Sequence, residues 1–367
     1  MEEIEGYHSP EGALLSVYVS PMPGRASSAL LSDLLKPVRG RCDRLDRPAA
    51  MSLRRDLDRV HDLAPRLDTE KAPGVAVFAC SAQSLFDYRQ LPSSVWDHAS
   101  VGPRPYLRPL RGIPDPMAVG VAVVDRRRAR VYSKLGADLQ ELGPVSEADI
   151  GKTNYGGFHG YAEQRARSRA EEATARMLRE AAELLFAHHR EHPVRLLALG
   201  GHQETLDELR PHLHPYLREL ATRTFVIDSR TMTPALVREA VDALECQERR
   251  QLEERLVGEV MSTAMADGVA VIGLGRVLQA ANAKAIKRLV VAGRFAKDGI
   301  VCIACRRLGR SGDPCDLCGG HTWATEDVVA EAMEVAAADG SEVHQVSVAS
   351  PLDAHGVAAT LRFPLWP

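Results

Sequence analysis

Apolar positions recur along this chain in short extended runs separated by segments of helical spacing. Residues 12–20 (GALLSVYVS) predict a first strand, ended by Pro21 and Pro23. Residues 25–36 and 49–66 predict helices, with Leu53, Leu57, Val60 and Leu63 on one face. Gly74 to Cys80 predicts a buried strand with a partner at 84–91, and the prolines of 103–116 predict a linker. Beyond it, 117–125 and 129–135 flank the basic turn Arg126-Arg127-Arg128 and predict a β-hairpin. After a polar, glycine-rich stretch, 161–191 carries Ala170, Ala173, Met177, Ala181, Leu184 and Leu185 at spacings of three and four. Pro193 stops that helix.

Further strands are expected at 194–201 and 224–228, with helices near 203–210, 213–221 and 234–257. A third unit opens near 252 with a helix to Ala266. Val269–Ile272 reads as a helix cap as readily as a strand. A helix at 273–283, a strand at 287–292, a helix at 325–338 and strands at 342–348 and 357–363 complete the chain. Strands alternating with helices predict an α/β fold. The expected domains are 1–112, an N-terminal α/β domain; 113–250, a central α/β domain; and 251–367, an α/β/α sandwich with an inserted knuckle.

Composition narrows the function classes. No apolar run is long enough for a membrane-spanning helix, and the acidic start is unlike a signal peptide. Four of the seven cysteines are clustered and three scattered, unlike a secreted disulfide framework; a cytoplasmic protein is expected. The net charge of −3 means that any nucleic-acid binding must come from a local basic patch.

Two stretches carry candidate chemistry. Cys302-Ile-Ala-Cys305 is followed by Cys315-Asp-Leu-Cys318. Two such pairs suit one tetrahedral zinc ion with four thiolate ligands, a structural rather than catalytic arrangement because no coordination position stays open. Redox dithiols, unligated thiols and a site using His321 are the other readings. The second stretch is Lys152 to Tyr161, with Gly156, Gly157, Phe158, His159 and Gly160, joined directly to a helix bearing Gln164, Arg165, Arg167 and Arg169. A glycine pair lets bare backbone approach a crowded substrate, and the arginines would contact phosphates. The alternative is a solvated helix on which glutamates neutralise the arginines. His188, His189 and His192 read as a helix terminus. Gly273-Leu-Gly275 lacks the third glycine of a dinucleotide fingerprint.

The order of these pieces resembles the superfamily of archaeal and eukaryotic class-1 peptide-chain release factors, including Pelota, and within it the bacterial and archaeal release-factor-like branch. The resemblance is carried by 74–79 (GVAVFA) with 104–110 (RPYLRPL), by 155–185, and by 267–292 with the cysteine knuckle and 356–363 (GVAATLRF). It implies three domains that together mimic a tRNA and a C-terminal domain like kink-turn-binding ribosomal proteins. It also implies a protein that enters the A site of stalled or idle ribosomes, for rescue by peptidyl-tRNA hydrolysis or tRNA cleavage, or for hibernation. The implied partners are the large subunit, its rRNA and peptidyl-tRNA, and a translational GTPase. In release factors the central loop reads Gly-Gly-Gln, and the glutamine helps position the water that attacks the peptidyl-tRNA ester. Here Gly156-Gly157 is followed by Phe158, and the nearest glutamine is Gln164. Gly156, Gly157, His159 as a general base and Gln164 as a helper are therefore the candidate catalytic residues, and Arg165, Arg167 and Arg169 the RNA-binding ones. A stress-associated scaffold with no ribosome binding is the alternative outside this family.

Overall fold

In a computed structural model, the described residues are all except 1–3, 5, 10–12, 22, 23, 25, 70, 71, 146, 149–160, 229–231, 267, 268, 366 and 367. The chain divides into two compact units. One joins Met1–Pro114 to Leu252–Pro367, and the other is Asp115–Gln251.

The N-terminal part of the first unit holds β1 (Leu14–Val19), α1 (Ser27–Arg39), α2 (Arg47–His61), α3 (Ala64–Thr69), β2 (Gly74–Cys80), β3 (Leu85–Leu91), β4 (His98–Gly102) and the single turn α4 (Arg108–Arg111). The strands form an antiparallel sheet in the order β3-β2-β1-β4. Alternation along β1 decides what covers each face. Leu15, Val17 and Val19 pack with Leu31, Leu53 and Leu57 of the helices. Leu14 and Tyr18 pack with Leu107 and Leu110 on the other face. The proline-rich segment expected as a linker is thus part of the core: its prolines shape a turn that seats Leu107, Arg108 and Leu110, all buried. The strand β4 has no apolar alternation, which is why the pattern did not reveal it.

The second unit begins with β5 (Ala118–Val124), β6 (Ala129–Leu135) and β7 (Asp138–Glu141), followed by the 31-residue helix α5 (Tyr161–Glu191). It continues with β8 (Leu196–Gly201), α6 (Gln203–Leu209), α7 (Pro215–Leu220), β9 (Arg223–Phe225) and the helix α8 (Pro234–Met265). The sheet order is β7-β6-β5-β8-β9, with β5 parallel to β8 and β8 parallel to β9. Ala122 and Val124 face α5, α6 and α7, while Val119, Val121 and Val123 face Val237, Val241 and Leu244 of α8. The polar edge strand β7 was hidden in the sequence. The helices expected separately at 234–257 and 252–266 are one, because no breaker interrupts residues 234–265. Buried in this unit, the Lys134 ammonium lies 2.6 Å from Glu245 and 2.8 Å from Asp242, and Arg249 reaches Glu245 at 2.8 Å.

The C-terminal part of the first unit takes the second half of α8 and adds β10 (Ala270–Ile272), α9 (Leu274–Asn282), β11 (Ile286–Ala292), β12 (Gly299–Cys302), β13 (Leu308–Gly309), β14 (Thr322–Thr325), α10 (Val328–Ala338), β15 (Glu342–Val346) and β16 (Val357–Leu361). Ala270–Ile272 forms a strand rather than a cap: Ala270, Val271 and Ile272 pair with Thr360, Ala359 and Ala358. The main sheet runs β10-β16-β11-β15. Along β11, Leu289 and Val291 face α9 and α10, and Val290 and Ala292 face Val257, Val260 and Met261 of α8. The expected α/β/α sandwich follows from that alternation.

Within the first unit the two parts meet through a buried arginine. Arg108, 2% exposed, donates to Asp327 at 2.6 Å, to the Gly293 carbonyl at 3.0 Å and to Gln345 at 3.3 Å. Tyr106 donates its hydroxyl to the same Asp327 oxygen at 2.8 Å. Asp327 also caps α10, accepting from the amides of Val329 and Ala330. Arg111 forks onto Glu334 at 2.5 and 2.8 Å, and Arg41 pairs with Glu326.

Candidate functional site

The helix α5 is buried along only part of its length. Met177, Leu178, Ala181, Ala182 and Leu185 pack on the sheet, and the first buried side chain among the described residues of α5 is Thr174. The residues before it span about 20 Å at the helical rise. They hold Gln164, Arg165, Arg167 and Arg169, all exposed. Arg167 pairs with Glu171 at 3.1 Å, one turn on. Arg165 and Arg169 carry no ion pair among the described residues. Gly156, Gly157 and His159 lie outside the described residues; Gln164 is four residues into α5.

The hairpin turn beside it carries three more exposed arginines, of which Arg126 pairs with Glu204 at 3.4 Å and Arg128 with Glu147 at 3.2 Å. Asp125 accepts from the amides of Arg127 and Arg128 at 2.5 and 2.7 Å, which shapes the turn. The Thr174 hydroxyl donates to the Arg126 carbonyl at 2.9 Å and ties the turn to α5. Arg126, Arg127 and Arg128 are exposed there. The sequence displayed the triplet, but only the Thr174 contact, 48 positions away, brings it beside the helix.

At the other end of α5, His189 accepts the Val194 amide at 3.2 Å and closes the helix, and the rings of His188 and His192 lie 5.2 Å apart. This is the helix terminus expected from the sequence.

The four clustered cysteines converge. Strands β13-β12-β14 form a small antiparallel sheet whose turns bring the sulfur atoms of Cys302, Cys305, Cys315 and Cys318 all within 4.8 Å of one another. Cys302 lies 3.5 Å from Cys318, and Cys305 lies 3.7 Å from Cys315. Four thiolates around one ion at about 2.3 Å would stand about 3.8 Å apart, so the cluster fits a tetrahedral metal site. The two turns repeat one design. The residue after the second cysteine of each pair takes a left-handed conformation, Arg306 at φ 61° and Gly319 at φ 68°. The Arg306 amide returns to the Cys302 carbonyl, and the Gly319 amide to the Cys315 carbonyl. A Cβ on Gly320 would sit 3.3 Å from the Cys318 sulfur and 3.6 Å from that of Cys302, so a side chain there would crowd the cluster.

Supporting contacts fix the knuckle. Arg307 forks onto Asp316 at 2.6 and 2.9 Å and joins the two turns. The Asn282 side chain exchanges two 2.8 Å hydrogen bonds with the Leu308 backbone and anchors β13 to α9. Burial acts to raise the Cys302 thiol, but the Cys305 amide and the neighbouring thiols outweigh it and bring the group down to about 7. His321 is 91% exposed and is not among the four ligand atoms.

The model of bacterial archaeo-eukaryotic release factor family 10 matches residues 105–245, which include the glycine loop, α5 and most of the second unit. Among solved structures, an archaeal translation termination factor, aRF1, is 18% identical, with 99% of this chain and 96% of that one covered, at a TM-score of 0.25. Pelota from Archaeoglobus fulgidus is 15% identical over 80% of each chain, at 0.38. A ribosome-bound archaeal Pelota, from a structure with ABCE1, is 17% identical over 77% of this chain and 73% of its own, at 0.43. No curated protein sequence matches. No helix of the described residues is long and apolar enough to cross a membrane. Residues 105–245 are thus similar to bacterial archaeo-eukaryotic release factor family 10.

Proposed function

We propose that this chain is a cytoplasmic, ribosome-associated protein that occupies the A site of stalled or idle ribosomes. Its domains are assigned at 1–112, 113–250 and 251–367, and one structural zinc ion is assigned to Cys302, Cys305, Cys315 and Cys318. The observation that carries this reading is the release-factor family match across the glycine loop and α5. The exposed start of that helix is compatible with it: Arg165, Arg167 and Arg169 are solvent-exposed, and exposed arginines are the usual contacts to rRNA phosphates.

Occupancy without hydrolysis is the reading favoured by the loop. After Gly156-Gly157 come Phe158, His159 and Gly160, none of which offers the carboxamide that a release factor places next to its glycine pair. Rescue with cleavage of peptidyl-tRNA is the second reading, favoured by the retained glycine pair. In that chemistry bare backbone N–H groups at Gly156 and Gly157 approach the ester, His159 acts as general base for the attacking water, and Gln164 assists from the start of α5.

Two measurements separate these readings. Co-sedimentation with ribosomes tests association; a chain that never co-sediments is the non-ribosomal scaffold instead. A release assay on ribosomes loaded with peptidyl-tRNA tests chemistry. Stable occupancy with no release is expected. Release that is abolished by Gly157→Ala and reduced by His159→Ala would decide for rescue, because a Cβ at Gly157 blocks close approach.

A further inference from the structure

Where Arg108 joins the two parts of the first unit, a cavity of about 280 Å³ opens beside it. Its charges are unevenly matched. Arg41 is paired with Glu326, Arg108 with Asp327 and Arg111 with Glu334. That leaves Arg104 and Arg306 with Glu331 as the remaining charged groups of the lining. Arg306 stands 3.8 Å from Glu331, a separation longer than a hydrogen bond, and its buried Nε has no partner. Arg104 makes no hydrogen bond or ion pair among the described residues; burial and the nearby Arg306 both work against its charge. A buried donor without an acceptor and two guanidinium groups near a single carboxylate form an unfinished electrostatic arrangement.

The backbone that carries both arginines is restricted before any ligand arrives. Arg104 lies between Pro103 and Pro105. Arg306 sits at the left-handed position that closes the first cysteine turn, so the knuckle fixes its direction. The remaining wall is aromatic: His98 lies against Tyr106 with ring centroids 4.4 Å apart, and Trp323 faces the same space. Burial pushes the Glu331 carboxyl above its ordinary 4.5, opposed by Arg306, which weakens the carboxylate beside Arg306 as a competitor for an incoming anion.

We propose that this cavity binds a phosphate monoester of up to about mononucleotide size, its phosphate held by Arg104 and Arg306 and its planar group against Trp323 and Tyr106. Guanidinium forks match phosphate oxygens in geometry and charge, and the volume lies at the small end of ligand pockets. Either a free nucleotide or the 5′ end of an RNA presents that chemistry. The site does not depend on the ribosomal reading.

The test uses the full chain in titrations with inorganic phosphate, adenosine 5′-monophosphate, and a short oligoribonucleotide with or without a 5′ phosphate, followed by calorimetry and tryptophan fluorescence. Saturable one-site binding of adenosine monophosphate is expected. Arg104→Gln and Arg306→Asn each weaken it about ten- to a hundredfold, the effect of losing a charged hydrogen bond. Asparagine tolerates the left-handed turn, so R306N keeps the knuckle, which unchanged metal content verifies. The exposed Arg310→Gln, outside the cavity, leaves affinity unchanged. Binding of the oligonucleotide only when it is phosphorylated assigns the site to RNA ends; binding of the mononucleotide alone assigns it to free nucleotides. No saturable binding of any probe, or binding that both cavity variants leave intact, overturns the proposal.

Discussion

Replacing Arg108 with methionine removes one partner of a buried pair and keeps most of the volume. The energy follows from what each neighbour loses. Asp327 loses its 2.6 Å guanidinium contact and stays buried. Loss of one partner from such a pair costs about 3–5 kcal/mol. The carboxylate keeps the Tyr106 hydroxyl and two helix amides, which favours the lower end. The Gly293 carbonyl loses its donor as well, for about 1 kcal/mol more. We expect R108M to destabilise this unit by about 3–4 kcal/mol, which lowers its melting temperature by about 10 °C. Urea unfolding followed by tryptophan fluorescence reads this unit alone, because all three tryptophans fall in 1–114 and 252–367 and none in 115–251. Asp327→Ala costs a further ~1 kcal/mol because it also removes the cap of α10. The double variant should be less destabilised than the sum of the singles, since the two share one interaction. A loss below about 1 kcal/mol in R108M, or strict additivity, would show that the buried pair does not hold the two parts together.

Purified protein should carry one zinc ion per chain by elemental analysis, and Cys305→Ser should lower both zinc content and the stability of the C-terminal part, since binding and folding of a four-thiolate site are linked. Carefully prepared protein with no stoichiometric metal refutes the assignment. Reversing Arg165, Arg167 and Arg169 to glutamate should weaken ribosome co-sedimentation, most clearly at low salt, with the circular dichroism spectrum unchanged. In the central unit, burial acts to raise Glu245, but the hydrogen bonds from Lys134 and Arg249 win and hold it below its ordinary 4.5. Its contribution is therefore present above about pH 4.5 and is lost as pH falls through the depressed folded value. The Glu245→Gln variant should be less stable at neutral pH and show a shallower acid transition than the parent; a parallel pH profile counts against the buried pair.

Alternation and helical spacing placed most elements within a few residues, because faces such as those of β1 and β11 bury one side against helices and show it in the sequence. What escaped was held by something other than apolar pattern. The strand β4 is recognised by its pairing with β1, across more than 75 residues of chain. The buried state of Arg108 was not legible, because its partner Asp327 is 219 positions away and an arginine among prolines reads as surface. The cysteine knuckle was legible because its ligands lie within 17 residues and their spacing alone encodes the turns. The Arg126–Arg128 turn was visible as a charge run, yet its place beside α5 depends on one threonine hydroxyl.

The division of the chain also sets an order on its synthesis. Arg108 leaves the ribosome 219 residues before Asp327. At ordinary elongation rates that gap lasts about 10–40 s. During that interval the contiguous 115–251 segment has all of its own partners and can complete its fold, whereas the nascent N-terminal sheet waits with Leu107 and Leu110 seated against it and a cation still hydrated beside them. A truncated product ending after the second unit would leave Arg108 without Asp327, so the N-terminal part would lack the buried contact that joins it to the C-terminal part.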